Sequence, residues 1–548
     1  MNLIGLLLRT SRLTVFLVFI TGLLSGGARV QLIAVINNII NHTGSPKTNS
    51  FWGFILLLLV VLISSVASQV LLVQLAQGTL FKLRMLLSRR ILACPLRQLE
   101  EIGIHRLLTT LTEDIESLSE AFSAFPFLFI DMAVVFGCLV YLGVLSWVMF
   151  LLLVVLMVVG MSSYQQLAKR AKRFRKRARQ ERDELFHHLR AITEGTKELK
   201  LHAERASAFL SQDLYATAAA VRDQETIGLN IFAVAASWGQ LLFFVAIGLF
   251  VFALPKLGEF SDRSLLTSYI ITIIYMLWPL ENITRRLPTM NQASIALEKV
   301  ESLGLMLATD TSERGGITDL NANPSWQSLE LVSVTHTYRG EQETESFILG
   351  PIDLTFHPGE IVFIVGGNGS GKSTLGKLIT GLYTPQSGEI RLDGTPITDD
   401  NREWYRQHFS AVFSDFYLFG RLVGLTNNNL DTRAQQFLVQ LQLNHKVEIK
   451  DGVLSTTALS QGQRKRIALL TAYLEDRPIY LFDEWAADQD PYFKRIFYTQ
   501  ILPELTKRGK TVLVISHDDR YFHAADRIVK LEYGRLESQR LVNQKTTN

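Results

Sequence analysis

The chain has 548 residues, 48% hydrophobic and 19% charged, with a mean hydropathy of +0.19. That length exceeds one compact domain, the apolar share excludes a disordered chain or one soluble throughout, and the charged share excludes one held wholly in lipid. A net charge of +4, from 55 basic and 51 acidic residues, gives a nucleic-acid binder no support, and two cysteines, Cys94 and Cys138, make no disulfide scaffold.

Six apolar runs are predicted as membrane spans, near residues 13–40, 52–77, 122–143, 145–163, 229–254 and 265–286. Each is long enough to cross a bilayer as a helix. The first is not read as a cleaved leader, because apolar character continues to Ile40. Basic residues set the orientation. Arg9 and Arg12 precede the first span; Lys82, Arg84, Arg89 and Arg90 follow the second; the run from Lys169 to Arg179 follows the fourth; Arg285 and Arg286 close the sixth. The loops at 41–50, near 144 and at 255–264 carry few basic residues. Both termini and the second half are therefore expected in the cytosol. The stretches 80–120 and 165–227 are expected as helices that continue past the bilayer, with the basic run as a solvated part of one of them.

Three charges fall inside spans: Arg29, Asp131 and Glu281. Charge there is costly and usually faces the bundle interior. Each either lines a path through the bundle or serves structure, Arg29 by snorkelling and Glu281 by pairing with Arg285 four residues on.

A stretch rich in Thr, Ser, Gly, Asn and Pro, Asp310–Trp326, marks a boundary. Residues 1–310 are expected as a membrane domain, 311–328 as a linker, 329–540 as an α/β domain and 541–548 as a polar tail. In the second half, β-type runs (Ile361–Val365, Ile479–Phe482, Thr511–Ile515) alternate with helical stretches.

Between the first of those strands and the helical stretch opened by Thr374 lies Gly366-Gly367-Asn368-Gly369-Ser370-Gly371-Lys372-Ser373. Glycines let backbone N–H groups turn toward phosphates, and a helix N-terminus adds positive potential. Lys372 is placed to reach the β/γ-phosphates of ATP, and Ser373 to offer its hydroxyl to Mg²⁺. The strand Ile479–Phe482 ends in Asp483-Glu484, carboxylates expected beside those phosphates, Asp483 for the Mg²⁺ hydration shell and Glu484 as general base for water. Leu459-Ser460-Gln461-Gly462-Gln463, before the helical stretch Arg464–Leu474, forms a second anion cradle. One nucleotide needs one cradle per chain, so the second is expected to serve a partner's nucleotide.

The order of P-loop, Leu-Ser-Gln-Gly-Gln, apolar strand with Asp-Glu, and His517 after the strand Thr511–Ile515 resembles the nucleotide-binding domain of ABC transporters. With six spans ahead of it, the chain resembles an ABC exporter half-transporter, a six-span α-helical domain fused to an α/β P-loop ATPase domain. More narrowly, Ser-Ala-Val-Phe-Ser-Asp-Phe and Asp-Glu-Trp-Ala-Ala-Asp-Gln-Asp-Pro resemble the bacterial cyclic-peptide exporter branch. The resemblance implies that Tyr338 stacks on adenine, that Asp490 ends the loop communicating across the dimer, and that His517 contacts the γ-phosphate. It also implies coupling through the cytosolic turns near Arg97–Arg106 and Glu198–Arg205. Ser414 stands where the family usually has a glutamine, Gln461 where it usually has glycine, and a Gly/Glu loop common before the signature is not recognisable in Asp451–Ala458. The resemblance implies a homodimer in the bacterial inner membrane that exports an amphipathic peptide, with a multidrug or lipid translocator as one alternative and a non-transporting ATP-regulated protein as another.

Overall fold

Apolar length decides the first half. The computed structural model describes Gly5 and residues 11–41, 48–253, 263–306, 325–338, 347–425 and 429–542. Within these, α1 (Arg12–Asn41), α2 (Phe51–Ala93), short α3 (Leu96–Ile102), α4 (Ile104–Leu145), α5 (Trp147–Glu194), short α6 (Thr196–Leu201), α7 (Ala203–Phe252) and α8 (Arg263–Gly304) follow in order. The six long ones are apolar enough to cross a membrane. All but α1 run to 42 residues or more, about twice what a bilayer needs, so they continue beyond it, and the basic run Lys169–Arg179 lies within α5. The breaks are local: Pro95 opens α3 and Gly103, at φ +85°, closes it. Ser146 caps α5 by accepting from the Met149 N–H at 3.5 Å. The expected loops at 41–50 and 255–264 fall largely outside the described residues, as do most of the linker 311–328 and most of the tail 541–548.

These helices leave Trp52, Leu56, Phe136, Phe244 and Trp278 exposed, which water would penalise and lipid does not. Their interior is built from Ile130, Val134, Leu142, Met149, Tyr269, Ile273 and Met276. A Cβ on Gly26 would lie 2.5 Å from that of Ala133, so α1 and α4 meet where there is no side chain. Among the described residues, those of Met1–Arg84 and Thr110–Glu301 form one compact unit, and those of Met85–Thr109 and Ser302–Asn548 the other.

The second unit contains the α/β fold. β1 (Leu329–Tyr338), β2 (Phe347–Phe356), β4 (Ser387–Leu392) and β5 (Thr395–Pro396) make an antiparallel sheet in the order β2-β1-β4-β5. β3 (Ile361–Gly366), β6 (Phe409–Val412), β9 (Ile479–Asp483), β10 (Thr511–Ile515), β11 (Arg527–Glu532) and β12 (Arg535–Leu541) form a second, ordered β12-β11-β3-β10-β9-β6 and parallel except for β12, while β7 (Ile449–Lys450) and β8 (Val453–Leu454) pair with each other as a short antiparallel ribbon. The runs Ile361–Val365, Ile479–Asp483 and Thr511–Ile515 are buried throughout, as a sheet covered on both faces requires. Alternation sorts their side chains. Phe363, Tyr480, Phe482, Val512 and Val514 face one apolar layer with Ile467, Leu470 and Tyr473. Val362, Ile364, Ile479, Leu481, Leu513 and Ile515 face the other, with Leu375, Leu378 and the inner residues of β1 and β2. Trp326 belongs to this second layer, and Leu96 packs against it.

Candidate functional site

Parallel register fixes which loops meet. Ile515 lies opposite both Ile364 and Asp483, Val412 opposite Phe482, and Leu531 opposite Gly366. The residues just past these strands therefore gather at one carboxyl edge of the sheet, where α/β folds bind ligands. That edge collects the P-loop, Ser414, Asp483 with Glu484, and His517.

The P-loop joins β3 to α9 (Lys372–Ile379). Gly366 takes φ +154°, and a Cβ there would sit 2.2 Å from the Leu531 carbonyl oxygen. Gly371, at φ +95°, precedes α9 in a left-handed conformation. Gly367, Asn368 and Gly369 are exposed, whereas Ser370 and Lys372 are buried. The Lys372 ammonium folds back to donate to the carbonyls of Gly366 (3.1 Å) and Gly367 (2.8 Å). Burial lowers its pKa, opposed by the charges of Glu484 and Asp483. A cation held this way suits an anion in the loop beside it, and the buried Ser370 hydroxyl has no hydrogen-bond partner among the described residues.

Asp483 is 1% exposed, and among the described residues its Oδ1 has no hydrogen-bond partner. Burial raises its pKa, while the Ser373 hydroxyl and the Ser414 N–H act in the other direction. A desolvated carboxylate with a free oxygen beside a serine hydroxyl fits a hydrated divalent cation. Ser414 brings its hydroxyl 3.5 Å from Asp483 Oδ2, so the shorter side chain still faces the acid. Glu484 is a non-glycine residue at φ +49°. Its N–H donates to the Ile515 carbonyl at 3.0 Å, and its Oε1 lies 3.2 Å from His517 Nε2. Tyr338 is the last residue of β1, opposite Phe347.

The signature residues open α12, which follows α10 (Arg402–Arg406) and α11 (Leu430–Gln440) and spans Gln461–Glu475. Ser460 is its N-cap: its hydroxyl accepts from the Gln463 N–H at 3.4 Å, and Gln463 Oε1 accepts from the Ser460 N–H at 3.1 Å. Leu459 packs against the core, and Gln461 is exposed. Gly462 is required by contact, since a Cβ would fall 2.7 Å from the Asp488 carbonyl oxygen. Asp490 caps the helix Pro491–Ile496, and its pKa is held low first by the Phe493 N–H and then by Arg466.

Sequence reading overlooked the two basic residues that bind these parts together. Lys465 donates to the Glu484 carbonyl at 2.7 Å and lies 2.8 Å from Asp488 Oδ2. Arg466 donates to Gln489 Oε1 at 2.9 Å and to Asp490 at 2.6 Å, with its guanidinium 3.7 Å over the Phe493 ring. The available signal was phase: Lys465 shares a helical stripe with the buried Leu469, Ala472 and Tyr473.

Of the two turns expected to couple the domains, the first packs within the second unit. Glu100 of α3 accepts from Lys377 of α9 at 2.8 Å and from the Tyr383 hydroxyl. Tyr383 stacks on the buried His336 at 5.0 Å between centroids. In the second turn, residues 198–201 complete α6, His202 is extended, and residues 203–205 open α7.

The membrane charges separate into two groups. Arg29 and Asp131 line one cavity of about 400 Å³ with Tyr275, Trp278 and Asn282, and Asp131 interacts with Arg286, Arg29 and Asn282. Glu281 is not with them. It pairs with Arg285 at 2.6 Å and borders an apolar cavity of about 320 Å³ walled by Leu153, Met157, Phe232 and Phe243.

Comparison with known proteins gives a consistent result. The ABC transporter family model matches residues 349–487, and the model of the ABC transporter transmembrane region matches residues 13–207. The chain is 39% identical over 531 residues to the ATP-binding protein SyrD of Pseudomonas syringae pv. syringae, covering 95% of this chain and 94% of that one. It is 25% identical over 544 residues to an ATP-dependent lipid A-core flippase of Thiobacillus denitrificans, covering 95% and 92%. Over 241 residues, 40% of this chain and 36% of the relative, it is 31% identical to a probable syringafactin export ATP-binding/permease protein, SyfD, of Pseudomonas syringae pv. syringae.

Proposed function

The chain belongs to the ABC transporter family, as an exporter that joins a transmembrane region to an ATP-binding ATPase domain, and from that premise we propose that a homodimer of it hydrolyses ATP to export an amphipathic peptide across the bacterial inner membrane. The observation that carries the hydrolytic half is the strand edge at which the P-loop, the buried Asp483 and the Glu484–His517 contact converge. The P-loop from Gly366 to Thr374 binds the phosphates and Lys372 turns from its own carbonyls to the β/γ-phosphates. Ser373 and Asp483 would hold Mg²⁺, which would neutralise phosphate charge when bound. Glu484 takes a proton from the attacking water, and His517, on its carboxylate, orients toward the γ-phosphate. The exposed cradle from Leu459 to Gln463 serves the partner's ATP, and Tyr338 stacks on adenine. Closure of two such sites turns the spans from inward to outward opening, and hydrolysis resets them. The ATPase domain and both termini lie in the cytosol.

The cargo half rests on the cavities and on relatives. Arg29 and Asp131 offer opposite charges to one space, which suits a peptide with polar and charged groups, and one relative is named for syringafactin export. A lipid cargo is the second reading, favoured by the flippase that matches over nearly the full chain. The test is ATPase activity in lipid nanodiscs against a panel of cyclic peptides, lipopeptides and lipids. Peptides should stimulate; Asp131→Asn should weaken that stimulation severalfold while sparing basal turnover, and Glu281→Gln should alter both rates alike, as a structural partner of Arg285 would. Stimulation by lipid alone would replace the peptide reading with the lipid one.

A further inference from the structure

We propose that Lys465 is a positioning residue that holds Glu484 in its hydrolytic geometry and ties it to the helix behind the signature. This rests on the reading of Glu484 as the base.

Glu484 occupies a backbone region that non-glycine residues avoid, at φ +49° and ψ 32°. Such a conformation persists only where the surroundings over-determine it. Its N–H is fixed by the Ile515 carbonyl at 3.0 Å. Its carbonyl is fixed by Lys465 at 2.7 Å, with the Ala487 N–H adding a contact at 3.2 Å. The carboxylate is thereby aimed along a direction set by β10 on one side and α12 on the other. Without the lysine, one of these two supports is lost.

The lysine is itself immobile. Its side chain is 3% exposed, its own carbonyl accepts from the Trp485 indole N–H at 2.8 Å, and Asp488 supplies the counter-charge at 2.8 Å. A buried ammonium is tolerated only with such partners. Trp485 is in turn stacked on Phe497 at 4.3 Å between centroids. Lys465 lies five residues past Ser460 on one continuous helix. Movement of the signature end of α12 therefore reaches the Glu484 carbonyl through a rigid body and one hydrogen bond. In a homodimer, the signature end touches the partner's ATP while Glu484 acts on the chain's own, so the lysine joins the two sites.

The experiment compares steady-state ATPase of the full-length protein in nanodiscs for Lys465→Met, Lys465→Arg, Asp488→Asn and, as controls, Glu484→Gln and Lys372→Ala. Lys465→Met keeps the length and removes the ammonium. Its kcat should fall about 10- to 100-fold, the scale of a misplaced reacting group, with KM for ATP within about threefold of the unsubstituted protein. Lys465→Arg, which retains charge and donors, should recover at least about a third of the activity, and Asp488→Asn should fall between the two. A loss of kcat under about threefold in Lys465→Met overturns the proposal. So does a parallel rise in KM with a lowered melting temperature that Lys465→Arg does not reverse, since that is a packing effect. Activity unchanged in Glu484→Gln and Lys372→Ala would overturn the hydrolytic reading instead, which separates the two failures.

Discussion

At the scale of the residue, the proposed hydrolytic chemistry concentrates on Glu484. Its carboxylate is within 3.2 Å of His517 Nε2, and its backbone is held in a left-handed conformation. Glu484→Gln keeps the size and cannot take a proton. It should bind ATP and lower turnover by about 10²- to 10⁴-fold, so that an ATP-loaded closed dimer accumulates in a trapped-nucleotide assay; unchanged turnover would remove Glu484 from the role. Ser460 is the matching residue of the second cradle. Ser460→Arg places a bulky cation at an exposed helix N-terminus without touching the P-loop of its own chain. Hydrolysis should be abolished while a fluorescent ATP analogue still binds, and full activity in a pure Ser460→Arg preparation would contradict a shared site. The P-loop, the Asp-Glu pair and the signature were legible because each is a short run whose chemistry depends on local backbone. Lys465, Arg466 and Gln489 were not, because their meaning lies in a contact between α12 and a loop about twenty residues away.

At the scale of the element, α3 has the clearest consequence. Its Glu100 meets Lys377, which stands on the same helix as Lys372 and a little over one turn beyond it. A helix of eight residues thus has the α3 contact toward one end and Lys372, the proposed phosphate ligand, at the other. Glu100→Gln removes the ion pair, whose partners are 35% and 18% exposed, so the stability change should be small, about 1 kcal/mol or less. Cargo-stimulated ATPase should fall more than basal ATPase, and equal losses in both would mark Glu100 as a packing residue only. The helices themselves were legible from apolar length. Their continuation past the bilayer followed from long charged stretches free of proline except for Pro95. The placing of Glu100 against Lys377 was not legible, since about 280 residues separate them and only the folded core brings them together.

At the scale of the whole molecule, the division of the chain does not follow its order. Residues 85–109 fold with residues beyond 302. Cys94, Leu107 and Leu303 share one small apolar cluster, Leu96 packs on the layer built from Leu375 and Ile379, and Arg90 donates to the Gly304 carbonyl at 2.8 Å. A composition-based boundary near 311–328 places all of the first segment in the membrane half, because composition registers where apolar runs stop and carries no record of which turns later dock. For anyone cutting or grafting this protein, the consequence is concrete. A soluble fragment that starts at residue 325 would lack α3 and the cover it gives to Tyr383 and the Leu375 layer, and would be prone to self-association at that uncovered face. A chimera that exchanges the second half with a relative at the linker would pair a foreign helix bearing the relative's counterpart of Lys377 with the native Glu100. Exchange works as a unit only when the segment 85–109 travels with the half it folds into.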